Sequence, residues 1–271
     1  MKKKHLYIAN WKAYLSYQQA IAWCKKHADE LKELSTQGQI IICPDFLALP
    51  EIKNIIKPVA VGAQNCSAQS SGPYTGEVTA QSLQEAGATY CIIGHSERRK
   101  LCHETPADVA QKMEQLFACG ITPVVCVSDE GELASLLDTF SSATLAENTR
   151  TGRIKKNTVP TISSGADMSV EAVAKSEGVV SRYESTIILA YEPVSAIGTG
   201  NVPPAKEIEK MLALFKEKIS AAAPTANVSL LYGGSVNAKN AAELKKITNL
   251  DGFLIGKAST DFEELKKIVI A

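Results

Sequence analysis

Short apolar runs recur along the chain, each followed by a stretch with helical spacing. Eight such runs stand at His5–Trp11, Gln39–Cys43, Val59–Gln64, Thr89–Gly94, Thr122–Val127, Thr186–Tyr191, Val228–Tyr232 and Gly252–Ile255. Several are continuous rather than alternating, the pattern of strands buried on both faces of a parallel sheet. Between them, Ser16 and Gln19 have the spacing of a capping box ahead of Ile21, Cys24, Ala28 and Leu31 on one helical face. Thr105-Pro106 supplies an N-cap and a first-turn proline, with Val109, Leu116 and Phe117 facing inward and Gly120 as the stop. Residues 204–222 repeat the pattern with Ile208, Leu212, Phe215 and Ile219, and Asn237 is placed to cap a helix carrying Ala241, Leu244 and Ile247. Strands alternating with helices imply either a closed parallel barrel or a doubly wound sheet. No G-x-G-x-x-G follows the first run, and eight units favour the barrel. The expected fold is therefore α/β, an eightfold βα barrel forming a single domain over residues 1–271. The rhythm breaks between Val127 and Thr186. One weak helix is expected at Glu130–Phe140 and another near Ser169. Residues 141–168 between them, rich in Ser, Thr, Asn and basic side chains, read as an enlarged, irregular, exposed insertion between strands 5 and 6.

Composition narrows the picture by exclusion. With 271 residues, 45% of them hydrophobic, the chain can bury one large core. Lys plus Arg equal Asp plus Glu at 29 each, so charge gives no reason to expect nucleic acid or a membrane surface as partner. Met1-Lys2-Lys3-Lys4 resembles the start of a signal peptide, but the apolar run behind it is too short, and no stretch is long enough to span a bilayer. Seven cysteines without a C-x-x-C pair argue against a disulfide framework and a structural zinc site, and Cys43, Cys91 and Cys126 fall inside apolar runs. A reducing cytoplasm is the expected location.

In a barrel of this kind, chemistry gathers where the strands end and the βα loops meet. Asn10 and Lys12 end the first run, His95 the fourth and Glu192 the sixth, with Pro193 stopping the strand behind the carboxylate. Gly233-Gly234-Ser235 ends the seventh run and Gly256-Lys257 the eighth. A carboxylate, an imidazole and an ammonium would thus share one mouth, beside small residues whose N–H groups can face an anion. Ala196-Ile197-Gly198-Thr199-Gly200 reads as a small-residue loop able to move over it. Each residue alone has a plainer explanation, such as a solvated lysine or a core histidine. Their common placement is what favours a site.

Seven stretches carry a specific resemblance: residues 10–12, 62–65, 71–78, 93–99, 190–194, 196–200 and 231–236, beginning Asn10-Trp11-Lys12 and including Ile93-Gly94-His95-Ser96-Glu97-Arg98-Arg99, Ala190-Tyr191-Glu192-Pro193-Val194 and Tyr232-Gly233-Gly234-Ser235. Together and in this order they resemble the triosephosphate isomerase family, built on the TIM barrel. The resemblance implies interconversion of dihydroxyacetone phosphate and D-glyceraldehyde 3-phosphate without cofactor or metal. It implies Glu192 as the base, His95 as a neutral electrophile and Lys12 as the electrostatic stabiliser. Asn10 would orient Lys12 and the substrate oxygens, and Glu97 would hold the Lys12 ammonium. Backbone N–H groups of Gly198, Ser235, Gly256 and Lys257 would bind the phosphate. The Ser71–Val78 loop would pair two copies into a homodimer, Thr75 reaching the neighbouring site.

The chain departs from the family pattern at identifiable places. Ser195 stands where the family has tryptophan at the lid hinge, and Asn201-Val202-Pro203-Pro204 follows the lid. Lys257 replaces a glycine, which would cost about 1 kcal/mol if that position required φ > 0. Ser128-Asp129 replace Gly-Glu, leaving Asp129 as a shorter expected partner for the Arg98-Arg99 pair. These departures leave open an alternative, a catalytically weakened barrel acting mainly as a phosphate-ligand-binding or assembly protein.

Overall fold

The computed structural model describes residues 4–139, 186–196, 201–224 and 226–271. The apolar runs form β1 (Leu6–Asn10), β2 (Gln39–Cys43), β3 (Ala60–Ala63), β4 (Tyr90–Ile93), β5 (Thr122–Val127), β6 (Thr186–Tyr191), β7 (Asn227–Tyr232) and β8 (Gly252–Ile255). They close in sequence order into a parallel barrel, β8 pairing with β1 through Leu6–Gly252 to Ala9–Ile255. The expected fold is the observed one. The insertion at 141–168 and the helix near Ser169 lie outside the described residues.

Closure gives each strand an inner and an outer face, and the two form separate apolar clusters. Ile8, Ile41, Ile92, Val124, Ile188, Leu231 and Leu254 fill the barrel. Tyr7, Ile40, Ile93, Leu189 and Phe253 face outward into the helical layer. The period of two along a strand then decides what the strand ends present. Ile8 faces in, so Asn10 faces in. Ile188 and Ala190 face in, so Glu192 does too. Leu231 and Leu254 place Gly233 and Gly256 on the inner side.

The helices are α1 (Tyr17–Leu34), α2 (Leu49–Ile55), α3 (Ala80–Ala86), α4 (Ser96–Cys102), α5 (Pro106–Ala118), α6 (130–139), α7 (Ala205–Ala222), α8 (Ala241–Leu244) and α9 (Phe262–Ile270). The expected capping box of Ser16 with Gln19 forms, and Thr105, expected as a simple N-cap, forms a second one with Asp108. Gly120 ends α5 with φ 67°. Asn237 behaves differently from expectation. Its side chain accepts the Lys239 and Asn240 N–H groups at 2.9 and 3.2 Å, so it caps the turn before α8, while Asn240 is the α8 cap residue. The helix is shorter than its apolar spacing suggested, because Ile247 lies beyond its last turn.

Candidate active site

The inner faces of β1, β6, β7 and β8 converge on one cavity of about 250 Å³ at the C-terminal mouth of the barrel. Asn10, Lys12, His95, Glu192, Ser235, Gly256 and Lys257 all line it, together with Tyr14, Gly233, Gly234, Val236, Asn237, Leu254 and Ala258. Of the other expected residues, Glu97 stands just behind Lys12, whereas Thr75 is exposed on the Ser71–Val78 loop and is not part of this lining. Gly198 and the rest of the expected lid, Ile197–Gly200, lie outside the described residues.

Glu192 continues the strand direction, its N–H bonding the Val127 carbonyl at 2.8 Å, and is 2% exposed. His95 reaches the same space by another route. Strand alternation alone would turn it outward, since Cys91 and Ile93 face the helices. Gly94, at φ 64°, takes the left-handed turn that redirects the chain. His95 is 5% exposed and is the cap residue of α4, its Nδ1 accepting the Glu97 N–H at 3.2 Å. An Nδ1 that accepts carries no proton, so the imidazole is neutral with its proton on Nε2. That nitrogen lies 3.0 Å from Glu192 Oε1. The other carboxylate oxygen accepts the Ser96 N–H at 3.2 Å. Burial pushes the Glu192 carboxyl upward, but the His95 hydrogen bond, the Ser96 N–H and nearby Arg99 outweigh it, leaving the pKa below the usual glutamate value. Cys126, in the layer beneath, responds oppositely: burial first, then the Glu192 carboxylate, push its thiol well above the usual range, so it is a neutral floor.

Lys12 lines the same cavity from the end of β1. Its backbone has φ 47°, uncommon for a side chain with a Cβ, and two contacts hold it there. Its N–H donates to Asn10 Oδ1 at 3.1 Å, and its carbonyl accepts from Gln64 Nε2 at 2.8 Å. The ammonium lies 2.6 Å from Glu97 Oε1. Trp11, between them in sequence, points outward, is fully buried and donates from Nε1 to the Ser259 carbonyl at 3.1 Å. Ser259 Oγ in turn donates to the Gly256 carbonyl at 2.7 Å, which ties the loop after β8 to the end of β1.

The loop after β7 completes the rim. Gly233 is glycine for a packing reason: a Cβ there would lie 2.8 Å from Glu192 Cγ. At Gly234 it would lie 2.2 Å from the Tyr232 hydroxyl. Ser235 Oγ donates to the Ala196 carbonyl at 2.7 Å, joining this loop to the segment after β6.

Two expectations change. Lys257 is not among the residues with positive φ, which besides glycines are Lys12, His103 and Asn249 among the described residues, so lysine there carries no left-handed backbone cost. Arg99 is paired by Glu132 at 3.0 Å and by Ser128 Oγ at 2.6 Å rather than by Asp129. Asp129 instead accepts the Glu132 N–H at 2.8 Å, which holds the first turn of α6 and aims Glu132 back at Arg99. The carboxylate has moved three positions along the chain, and the one-turn return of a helix brings it home. Arg98 pairs separately with Glu104. Sequence reasoning also missed Gln64 as the clamp on Lys12, and Asn237 and Tyr14 as lining residues. Gln64 stood in one of the matching stretches, but nothing in a linear pattern shows which carbonyl its amide meets.

A family model described as triosephosphate isomerase matches residues 5–271. The chain belongs to the triosephosphate isomerase family. It is similar to triosephosphate isomerases of bacteria over nearly its whole length. The protein of Wolbachia sp. subsp. Brugia malayi is 34% identical over 264 residues, covering 97% of this chain and 96% of that one. That of Thermus thermophilus is 35% identical over 268 residues, 96% of each. That of Nocardia farcinica is 33% identical over 272 residues, 97% of this chain and 95% of the other. Among the described residues no helix is long and apolar enough to cross a membrane, and no group of three or more His, Cys, Asp and Glu could hold a metal ion.

Proposed function

We propose that this chain interconverts dihydroxyacetone phosphate and D-glyceraldehyde 3-phosphate, with Glu192 moving the proton, His95 polarising the carbonyl and Lys12 stabilising charge. The observation that carries this reading is the pair of a buried, ionised carboxylate and a neutral imidazole whose only proton faces the cavity. The roles follow the family's mechanism, and the local geometry supports each. Removing a proton from the carbon beside a carbonyl creates an enediolate, so the site needs a base at carbon and a donor at oxygen. These two groups satisfy one another. A substrate carbonyl accepting from His95 Nε2 would free Glu192 Oε1 to turn toward carbon. The proton then goes from one carbon to Glu192 and from Glu192 to the neighbouring carbon. Through His95 the hydroxyl proton passes to the other oxygen, so nothing is gained or lost overall. Lys12, oriented by Asn10 and held by Glu97, lies where it can meet both enediolate and phosphate. In this reading, N–H groups of Gly198, Ser235, Gly256 and Lys257 would complete the phosphate site.

Replacing Glu192 by Gln keeps the shape and removes the base. Turnover of glyceraldehyde 3-phosphate in a coupled assay should fall by about 10³-fold or more, with the circular-dichroism spectrum of the folded barrel preserved; near-normal turnover would refute the assignment. We propose further that residues 1–271 are one domain with residues 141–168 as an exposed insertion, and that the enzyme works in the cytoplasm as a homodimer through Ser71–Val78. Thr75 and Tyr74 stand exposed on that loop, which suits a face covered by a second copy. Sedimentation at micromolar concentration showing a fully active monomer would rule the dimer out.

A further inference from the structure

A second lysine lines the cavity, and the proton-transfer chemistry does not use its ammonium. Lys257 follows Gly256 in the loop after β8, lines the cavity and is exposed at its lip. Among the described residues its ammonium has neither a hydrogen bond nor an ion pair, in contrast to Lys12, which Glu97 holds at 2.6 Å. The two lysines flank one patch of backbone: a Cβ added at Gly256 would lie 3.6 Å from Lys12 Cε and 3.9 Å from its Nζ. The loop that carries Lys257 is also fixed, through Ser259, to Trp11 beside Lys12.

Formal charge shows what the extra lysine does. Lys12 and Glu97 cancel, and Arg99 behind the site is cancelled by Glu132. Glu192 remains as an anion, beside a neutral His95. Without Lys257 the groups around the cavity would therefore sum to a negative charge, an unfavourable host for a phosphate ester close to a dianion at pH 7. With it, they sum to zero.

We infer that the Lys257 side chain is a second cationic contact for the substrate's phosphate and sets how strongly this site prefers dianionic ligands. The inference deepens the isomerase reading and rests on it for the identity of the substrate. It concerns the side chain, where the phosphate site described above uses only the backbone N–H. An exposed ammonium on a flexible stem acts as a movable point charge, so its contribution should be screened by salt and should not require one fixed geometry.

The test compares wild type with Lys257→Met and Lys257→Arg. Binding of 2-phosphoglycolate is measured by calorimetry at low and high sodium chloride, alongside KM and kcat for glyceraldehyde 3-phosphate. Lys257→Met should weaken phosphoglycolate on the order of three- to tenfold at low salt. The difference should shrink toward about 0.5 M salt, where charges beyond a few ångströms are screened. KM should rise in parallel, with the smaller change in kcat, and Lys257→Arg should restore most of the loss. Equal affinity and equal salt dependence in wild type and Lys257→Met would overturn the inference. So would a loss that high salt leaves intact or that arginine fails to rescue, since either points to backbone shape rather than charge. The two readings fail separately. A wild type that binds phosphoglycolate through Lys257 but turns over no triose phosphate sinks the isomerase alone, and an active enzyme indifferent to Lys257→Met sinks the contact alone.

Discussion

Two sets of groups around the cavity are built to different rules. In one, His95 and Glu192 are almost fully buried, touch one another, and have their remaining hydrogen-bonding positions taken by the Glu97 and Ser96 N–H groups. In the other, Lys12 meets a half-exposed Glu97, and Lys257 stands at the lip without a side-chain partner among the described residues. The first set must keep particular protonation states, which demands fixed donors and little water. The second needs only positive charge near an anion, which tolerates solvent and motion. Groups that exchange protons are thus locked by the backbone, and groups that supply field are held more loosely. This division explains why a family glycine could become Lys257 with no strain at the position, whereas an equivalent change beside Glu192 meets a wall.

Predictions that probe the buried set carry the largest effects. Glu192→Gln stands first, at about 10³-fold or more in turnover. Gly233→Ala comes next. Its Cβ would press on Glu192 Cγ at 2.8 Å, and displacing the carboxylate by even an ångström should cost about 10² in kcat/KM. The same variant should bind phosphoglycolate and melt nearly as the wild type does, because the clash is with one side chain. A Gly233→Ala enzyme with normal kcat/KM would mean that the Glu192 position is not critical. A pH series sharpens the electrostatic half of the comparison. The folded pKa of Glu192 is lowered from 4.5, so its ionised form stabilises the fold fully above that value, and the contribution disappears as pH falls through the folded pKa. Melting temperatures of wild type and Glu192→Gln should therefore converge as pH drops below 4.5. A constant gap between the two curves would contradict the depressed pKa. The smallest effect belongs to the exposed set, the salt-sensitive change at Lys257. If it exceeded the Gly233→Ala effect, the distinction between locked and loose groups would be wrong.

Much of this is legible in the chain. Continuous apolar runs mark every strand to within a residue or two, because a strand buried on both faces leaves no choice about side-chain polarity. Capping at Ser16 and Thr105 is readable because an N-cap contact spans three residues. Arg99 shows where such reading stops. A linear reading points to Asp129, the nearest acid after β5, but a helical turn brings Glu132 there instead. Lys257 shows the same limit for backbone strain, since its φ depends on how the loop is tied through Ser259 to Trp11.

Sequence alone determined the barrel, the strand ends and the residue types that stand on them, since burial and short-range capping are properties of neighbouring positions. Only the tertiary structure decided which nitrogen of His95 carries its proton, that Glu192 rests against that nitrogen and the Ser96 N–H, and that Lys12 rather than Lys257 is the lysine Glu97 holds. Those outcomes depend on contacts between residues scores of positions apart. Barrel closure brings such residues together, and the angles of single loop residues such as Gly94 and Lys12 aim them.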